Sequence, residues 1–384
     1  MTFSRVLGQQ QIKSHLTRTV KDGRIPHTQL FIGKSGSGIL PLALGYANEI
    51  LCLSYNKESL PYTNCKTKVE KLAHPDLHFV YPVNTNENVK KNPISDNFLG
   101  KWRDFVIQNS YSSLYDWYQF IGIENKQGNI SKHEAVSITK KLSLKSYEGG
   151  YKVLIIWMAD KMNTECANQL LKLIEEPPEK TVLLLLTENV ENILGTILSR
   201  CQKLHVPLLA EEEIYRRLVE AHTLTNNEAR KISQQSNGDL NRAIQLIKNS
   251  GNEVLFEDLF VHWMRTAFKA KKDREAINEL FSWSERIAEE GRETQKKFLN
   301  FCLEIFRQAM LKNYKAESLI YFQSHDGKFS FDKFSEYVHH NNILEINEEI
   351  EKAIFHIERN GNAKIIFTDV SIRLTHLIQK KENL

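Results

Sequence analysis

The chain has 384 residues, 41% of them hydrophobic and 26% charged, which is typical of a folded protein with two or three domains and not of a disordered one. Its 51 lysines and arginines against 47 aspartates and glutamates leave a net charge of +4, too small to indicate nucleic-acid binding by itself. No run approaches the ~18 apolar residues of a membrane helix, and the first residues lack the apolar core of a signal peptide. We therefore expect a cytoplasmic protein that does not contact a membrane.

The first segment that could carry chemistry is a predicted strand at 29–32, followed by a glycine-rich turn and a helix. This order is typical of a phosphate-binding loop, in which a lysine reaches the β and γ phosphates and a hydroxyl ligates magnesium. Here Ile39 stands where the lysine belongs and Leu40 where Ser or Thr belongs. The sequence therefore favours glycines that only shape a turn, and it predicts no bound nucleotide or other cofactor. These glycines are Gly33, Gly36 and Gly38.

The next segment contains two cysteines and two histidines, at Cys52, Cys65, His74 and His78. Such a set could in principle bind zinc, but structural zinc sites bring their cysteines in close pairs, and these two are 13 positions apart. We expect no metal site. Because the five cysteines of the chain are scattered, we also expect reduced thiols and no disulfide framework.

Aromatic residues are concentrated between Phe98 and Ile121. Their spacing favours a helical packing face over a surface that stacks on bases. Residues 130–144 are predicted to form a helix, with Ser131 as N-cap and Glu134 three residues later in the pattern of a capping box. Three lysines lie at its C-terminal end, where positive charge interacts favourably with the helix dipole: Lys140, Lys141 and Lys145. We expect them to be solvated and not to contact phosphate.

The stretch from Lys152 to Cys201 is the most informative part of the chain. Val153–Met158 and Thr181–Leu186 are apolar runs that are short for helices, which predicts two strands buried on both faces. Between them, apolar residues recur at helical spacing until Pro177. Strand, crossover helix and strand together predict a parallel βαβ unit.

Two motifs of this stretch, LLKLIEEPP at 170–178 and TILSRC at 196–201, closely resemble the clamp-loader branch of the AAA+ ATPases, as found in bacterial DNA polymerase III. The resemblance implies an α/β fold class, with a P-loop-type AAA+ parallel-sheet domain and degenerate P-loop over 1–207. A small helical lid domain over 208–250 would follow. Amphipathic patterns in 251–384 indicate a separate all-α domain, which in this family is a collar that holds the subunits in a ring.

The resemblance also locates what is missing for ATP hydrolysis. In active relatives the first of the two strands ends in Asp-Glu, for magnesium and the attacking water, whereas this chain has Trp157 and Met158. The sensor arginine position falls on Asn241, and Arg242 lies one residue too far around the helix. Thr187 is the remaining polar sensor candidate. We therefore expect no ATPase activity of the chain itself.

One group of the family's chemistry is retained, in the Ser199-Arg200-Cys201 motif. Arg200 matches the arginine that relatives project toward ATP held by the neighbouring subunit, where it stabilises charge on the γ-phosphate. In an isolated Ser-Arg-Cys, the arginine would more often form a structural ion pair on the surface. Its position after the second strand favours the catalytic role in trans, which is called an arginine finger.

The resemblance thus implies a non-hydrolysing subunit in a hetero-pentameric ring with the clamp-loader ATPase subunits and the delta subunit. Through that complex it would act on the sliding clamp and primed DNA, supplying Arg200 in trans to a neighbouring ATPase. Two alternatives stay open. One is an active ATPase of the same fold with an unusual loop, and the other is a purely structural scaffold of the ring.

Overall fold

The computed structural model describes residues 2–123, 126–221, 224–248, 250–270, 273–316, 320, 322, 324, 327 and 329–380. The chain divides into two compact units, Met1–Ile247 and Lys248–Leu384. The helices expected of a lid lie within the first unit, and their separation as a domain of their own stays a prediction. Among the described residues, none of the helices has the length and apolar character required to span a bilayer.

The first unit is built on five parallel strands: β1 (Thr28–Ile32), β2 (Leu77–Val80), β3 (Lys152–Trp157), β4 (Thr181–Thr187) and β5 (Gln202–His205). They lie in the order β2-β3-β4-β1-β5, which confirms the predicted parallel α/β class. Strands β3 and β4 are buried along their whole length, as their apolar runs predict. The sequence pattern does not predict β5, because this edge strand is mostly exposed and polar.

Helices cover both faces of this sheet. Side chains of β3 alternate between two core layers, with Val153 and Ile155 in one and Leu154 and Ile156 in the other. The helices of the first unit that precede the predicted lid are α1 (Gln10–Lys21), α2 (Ile39–Leu51), α3 (Leu60–Glu70), α4 (Leu99–Gln108), α5 (Leu114–Ile121), α6 (Lys132–Ser143), α7 (Thr164–Glu175) and α8 (Gly195–Leu198).

The aromatic stretch forms α4 and α5 and packs into the core. Trp102 and Trp117 are fully buried, and Trp102 stacks on Tyr81 with ring centroids 4.2 Å apart. The Trp117 indole donates a hydrogen bond to the carbonyl of Pro82 (2.9 Å). The predicted packing face is confirmed, and these two rings are not available to stack on bases.

The prediction of a capping box at the start of α6 is wrong. Ser131 occupies the N-cap position but its side chain accepts no capping hydrogen bond. The Glu134 carboxylate turns to Ser95, whose backbone N–H and hydroxyl donate to it at 2.6 and 3.0 Å. A tertiary partner has therefore displaced the local contact that the sequence pattern indicates.

The predicted lid contains three helices: α9 (Glu211–Ala221), α10 (Asn226–Gln235) and α11 (Leu240–Lys248). They share a small core that includes Ile214, Leu218 and Ala243. The sequence predicts the first of these helices over 211–223, and its last two residues lie outside the described part of the chain.

The second unit is all-helical in its described residues. Its core stacks Trp263 on Trp283, with ring centroids 4.6 Å apart, and the Trp263 indole donates to the Ser371 hydroxyl (2.8 Å). The helices among the described residues are α12 (Ser250–Ala270), α13 (Arg274–Glu289), α14 (Arg292–Asn313), α15 (Phe331–Ser335), α16 (Ile343–Glu358) and α17 (Ala363–Leu377). All but α15 correspond to amphipathic segments of the sequence, and α15 lies in a less regular stretch between them, for which the sequence predicts no helix.

Candidate functional site: the glycine loop and the Arg200 surface

The glycine-rich turn connects a strand to a helix, as the sequence predicts. It begins where β1 ends, with the Gly33 N–H donating to the Thr187 carbonyl (3.1 Å), and it leads into α2. Gly36 has φ +68° and Gly38 has φ +92°, a left-handed conformation that a side chain would strain. The backbone therefore favours glycine at these two positions whether or not a phosphate binds.

The two positions that should hold lysine and a hydroxyl have become part of the core. Ile39 is 5% exposed and Leu40 3% exposed, and both belong to the apolar cluster beneath the sheet. Neither side chain can coordinate magnesium or neutralise a phosphate. The first turn of α2 thus contributes packing where an active relative would contribute charge.

Part of the predicted lid, together with Tyr111, packs against the glycine loop. A Cβ atom added to Gly36 would lie 1.7 Å from Oδ1 of Asp239, so the carboxylate sits directly against the loop. The Leu240 N–H donates to the Gly36 carbonyl (3.3 Å). A Cβ added to Gly38 would lie 3.0 Å from the Tyr111 ring. A carboxylate and an aromatic ring of the same chain therefore contact the surface that would cradle phosphate.

The electrostatics of this region oppose an anion. Burial, with a smaller contribution from the nearby carboxylates of Asp160 and Asp239, raises the pKa of Glu188 to about 7. Burial also raises the pKa of Asp239 to about 6. The positive charges of Lys34 and Lys161 lower the pKa of Glu188 and so partly oppose this shift. The raised pKa values mean that negative charge is already disfavoured here, and a triphosphate would add more of it.

The positions of the missing carboxylates at the end of β3 are buried. Trp157 is 2% exposed and packs 5.2 Å from the Trp102 ring, while Met158 is 3% exposed. The hydroxyl of Thr187, the remaining sensor candidate, donates to Asp160 (2.9 Å), which also pairs with Lys161 (3.1 Å). These polar groups are thus joined to one another within the chain.

Asn241, at the position of the sensor arginine, holds the lid to the core. It is 6% exposed, and its amide donates to Asp116 of α5 (2.8 Å). Gln245 donates to the second oxygen of the same carboxylate (2.8 Å). The sequence pattern does not indicate that Asp116 accepts hydrogen bonds from α11 or that Asp239 lies against the glycine loop. For Asp239 the signal was limited to its place between Gly238 and Asn241.

Arg200 lies on the surface, after α8. Its side chain is 40% exposed, and the guanidinium pairs through Nε with Glu175 (2.6 Å) and donates through Nη1 to the Thr196 carbonyl (2.8 Å). Of its neighbours in the motif, Ser199 donates to the same carbonyl (3.0 Å). Burial raises the pKa of the Cys201 thiol to about 11, so that it stays protonated. The three residues of the motif thus form one local structure around an exposed cation.

The cysteines of the first unit contradict one expectation. Cys52, directly after α2, and Cys65, in α3, form a disulfide with their Cα atoms 5.9 Å apart, so the prediction of five reduced thiols is wrong for this pair. Cys65, His74 and Glu148 place possible ligand atoms within 4.8 Å of one another, and His78 is not among them. The disulfide removes the Cys65 sulfur from that set, and His74 and Glu148 bond to each other (3.2 Å). That the chain holds no metal stays a prediction.

Comparison with known proteins agrees with this description. The family described as DNA polymerase III, delta subunit matches residues 8–210, more than half of the chain. The chain is 30% identical to DNA polymerase III subunit delta' of Bacillus subtilis over 242 residues, which are 63% of this chain and 60% of that protein. It is 28% identical over 225 residues to subunit tau/gamma of Haemophilus influenzae, covering 58% of this chain and 26% of the relative.

Delta' of Haemophilus influenzae is 22% identical over 217 residues, 56% of this chain and 54% of the relative. The matches thus span less than two thirds of these curated relatives. Among solved structures, a DNA polymerase III gamma subunit-related protein of Thermotoga maritima covers 96% of this chain and 99% of its own, with a TM-score of 0.39 and 14% identity, too low a likeness to support an argument. The family match over residues 8–210 places this chain in the DNA polymerase III delta-subunit family, with delta' subunits among its relatives.

Proposed function

We propose that this chain is a delta'-like, non-hydrolysing subunit of a DNA polymerase III clamp loader. It binds no nucleotide in its own glycine loop and supplies Arg200 in trans to the ATP of a neighbouring ATPase subunit. In this role it joins the ATPase subunits and the delta subunit in a five-membered ring that places the sliding clamp on primed DNA.

One contrast supports the proposal: Asp239 and Tyr111 of the same chain lie against Gly36 and Gly38, while the Arg200 side chain is exposed. An active ATPase would need a lysine after the last glycine of the loop, where this chain has Ile39. A scaffold without a chemical role would need no exposed arginine in this motif. The ion pair with Glu175 is compatible with a finger, because a half-exposed pair contributes little stability and can exchange for a phosphate.

The decisive experiment is ATP hydrolysis by the reconstituted complex carrying Arg200→Ala. We expect assembly to be unchanged and DNA-stimulated hydrolysis to fall on the order of 10³-fold at the site that Arg200 serves. Arg18→Ala is the matched control, because Arg18 is also exposed and ion-paired, with Asp22 (3.5 Å), on α1. An unchanged rate in Arg200→Ala would favour the scaffold.

A second measurement separates the proposal from an active ATPase. Calorimetric titration of the isolated chain with ATP and magnesium should detect no binding, since the loop offers neither the lysine nor the hydroxyl. Magnesium-dependent binding would mean that the covered loop opens and that Lys34 or another cation replaces the missing lysine.

A further inference from the structure

The loop 144–148, between α6 and β3, exposes two large apolar side chains. Tyr147 is 83% exposed and Leu144 is 64% exposed. Scattered exposed apolar residues are normal on a soluble protein, so exposure alone indicates no site. This loop differs because its backbone is fixed by buried charged side chains.

Asp76 holds the second half of the loop. It is 3% exposed, and it accepts hydrogen bonds from the backbone N–H groups of Tyr147 (2.7 Å) and Glu148 (3.0 Å) and from the Ser146 hydroxyl (3.0 Å). A buried carboxylate is costly unless its oxygens are satisfied, and here the loop itself satisfies them. The backbone that carries Tyr147 is therefore held in one conformation.

Lys152 holds the first half of the loop. It is 5% exposed, and its ammonium donates to the carbonyls of Leu142 and Leu144, at 2.7 Å in the second case. Glu148 is fixed in turn by Lys68 (2.5 Å) and by the buried His74 (3.2 Å). Asp76, Lys152 and His74 are buried anchors, so the exposed side chains stand on a backbone that is fixed from beneath.

The surroundings of the loop are apolar and positively charged. Val136, 63% exposed, is followed at helical spacing by Lys140 and Leu144, which places the three along one side of α6 and its end. Lys140 and Lys145 are exposed, and within the described residues neither forms an ion pair. The carboxylates that contact the loop are already engaged inside it.

We propose that loop 144–147 and the adjoining side of α6 dock a protein partner whose surface presents an apolar pocket rimmed by carboxylates. Tyrosine on a rigid base is the type of anchor that dominates binding energy, because little conformational entropy is lost when it binds. Leu144 and Val136 would fill apolar surface, which a nucleic-acid backbone does not offer. Lys140 and Lys145 would face the carboxylates and accelerate association.

The test measures binding of the full chain to purified proteins of its own organism: the ATPase subunits, the delta subunit and the sliding clamp, each immobilised separately. The inference rests on the proposed function for this choice of probes. Leu144→Ser/Tyr147→Ser should weaken the affinity for one of these proteins about 30-fold. Lys140→Glu/Lys145→Glu should slow association with the same protein and reduce its salt dependence.

Ile107→Ser is the matched control, because Ile107 is 61% exposed on α4 and should leave every affinity unchanged. Binding that the loop substitutions do not alter overturns this inference and leaves the proposed function intact. Loss of self-association alone, or of primed-DNA binding alone, also overturns it. A wild-type chain that binds none of these proteins overturns the inference and the proposed function together.

Discussion

Asp116 of α5 is the acceptor that fixes the predicted lid to the core, and its removal is the sharpest test of that arrangement. Its carboxylate receives Asn241 and Gln245 of α11, each at 2.8 Å. It also receives the backbone N–H (2.8 Å) and hydroxyl (2.7 Å) of Ser113 in a capping box. Asp116→Ala would remove all four contacts and leave the buried Asn241 amide without this acceptor.

The expected magnitude follows from these contacts. A hydrogen bond to a charged group contributes about 1.5–3 kcal/mol, and the lower end applies because these bonds are only partly buried. Two bonds to α11 therefore give about 3 kcal/mol in the free energy of opening the lid. At about 1.4 kcal/mol for each tenfold change, exchange of the α11 amide hydrogens should accelerate about 100-fold.

Hydrogen exchange of residues 240–247 is the assay, because it reports local opening without unfolding of the second unit. Ser113→Ala is the matched control: it removes the cap of α5, worth about 1 kcal/mol, but keeps the carboxylate for α11. Asp104→Ala removes an exposed charge from α4 and should change neither value. If the α11 amides exchange at the wild-type rate in Asp116→Ala, the lid is held by apolar packing and this reasoning is refuted.

Two further predictions concern buried groups of the first unit. Gly36→Ala should lower the free energy of unfolding by about 1–3 kcal/mol, because φ is +68° and the new methyl group would meet Asp239. Gly100→Ala is the control, because a methyl group there would have nothing within 4 Å. Equal melting temperatures of the two variants would refute this prediction. Burial raises the pKa of Glu134 to about 7 from an unfolded value of 4.5, so its contribution to stability is present below pH 4.5 and is lost as the pH rises to about 7. The free energy of unfolding in urea should therefore change less between pH 5 and pH 8 in Glu134→Gln than in the wild type, by up to about 3 kcal/mol. An identical pH dependence of the two proteins would contradict a raised pKa of Glu134.

The parts of the fold that the sequence predicts are those with a local signal. The apolar runs that became β3 and β4 have no polar residue to place on a solvent face, so they could only be central strands. The edge strand β5 gives no such signal, because its residues are mostly exposed. The disulfide was missed for a related reason: the 13-residue spacing of Cys52 and Cys65 says nothing until the end of α2 and α3 bring them together.

The candidate site also has some features that the sequence indicates and others that it does not. The predicted losses at Ile39, Leu40 and Trp157 follow from the sequence alone, because each matching position in an active ATPase has a known chemical requirement. The groups that pack against the loop are not visible in the sequence, because Asp239 and Tyr111 reach Gly36 and Gly38 only through tertiary contacts. The capping box of α6 failed for the same cause, since Ser95 competes for Glu134 from a distant part of the chain.

The persistence of the glycines then has a physical explanation that does not involve phosphate. Gly36 and Gly38 adopt left-handed backbone conformations, and each lies where a side chain would collide with Asp239 or Tyr111. In an open loop of the same shape only the backbone conformation would favour glycine, whereas here the neighbouring side chains add a second restriction. Asp239 and Leu240 of the predicted lid pack against Gly36, and Tyr111 lies next to Gly38, so the packing of the loop favours glycine whether or not a phosphate binds.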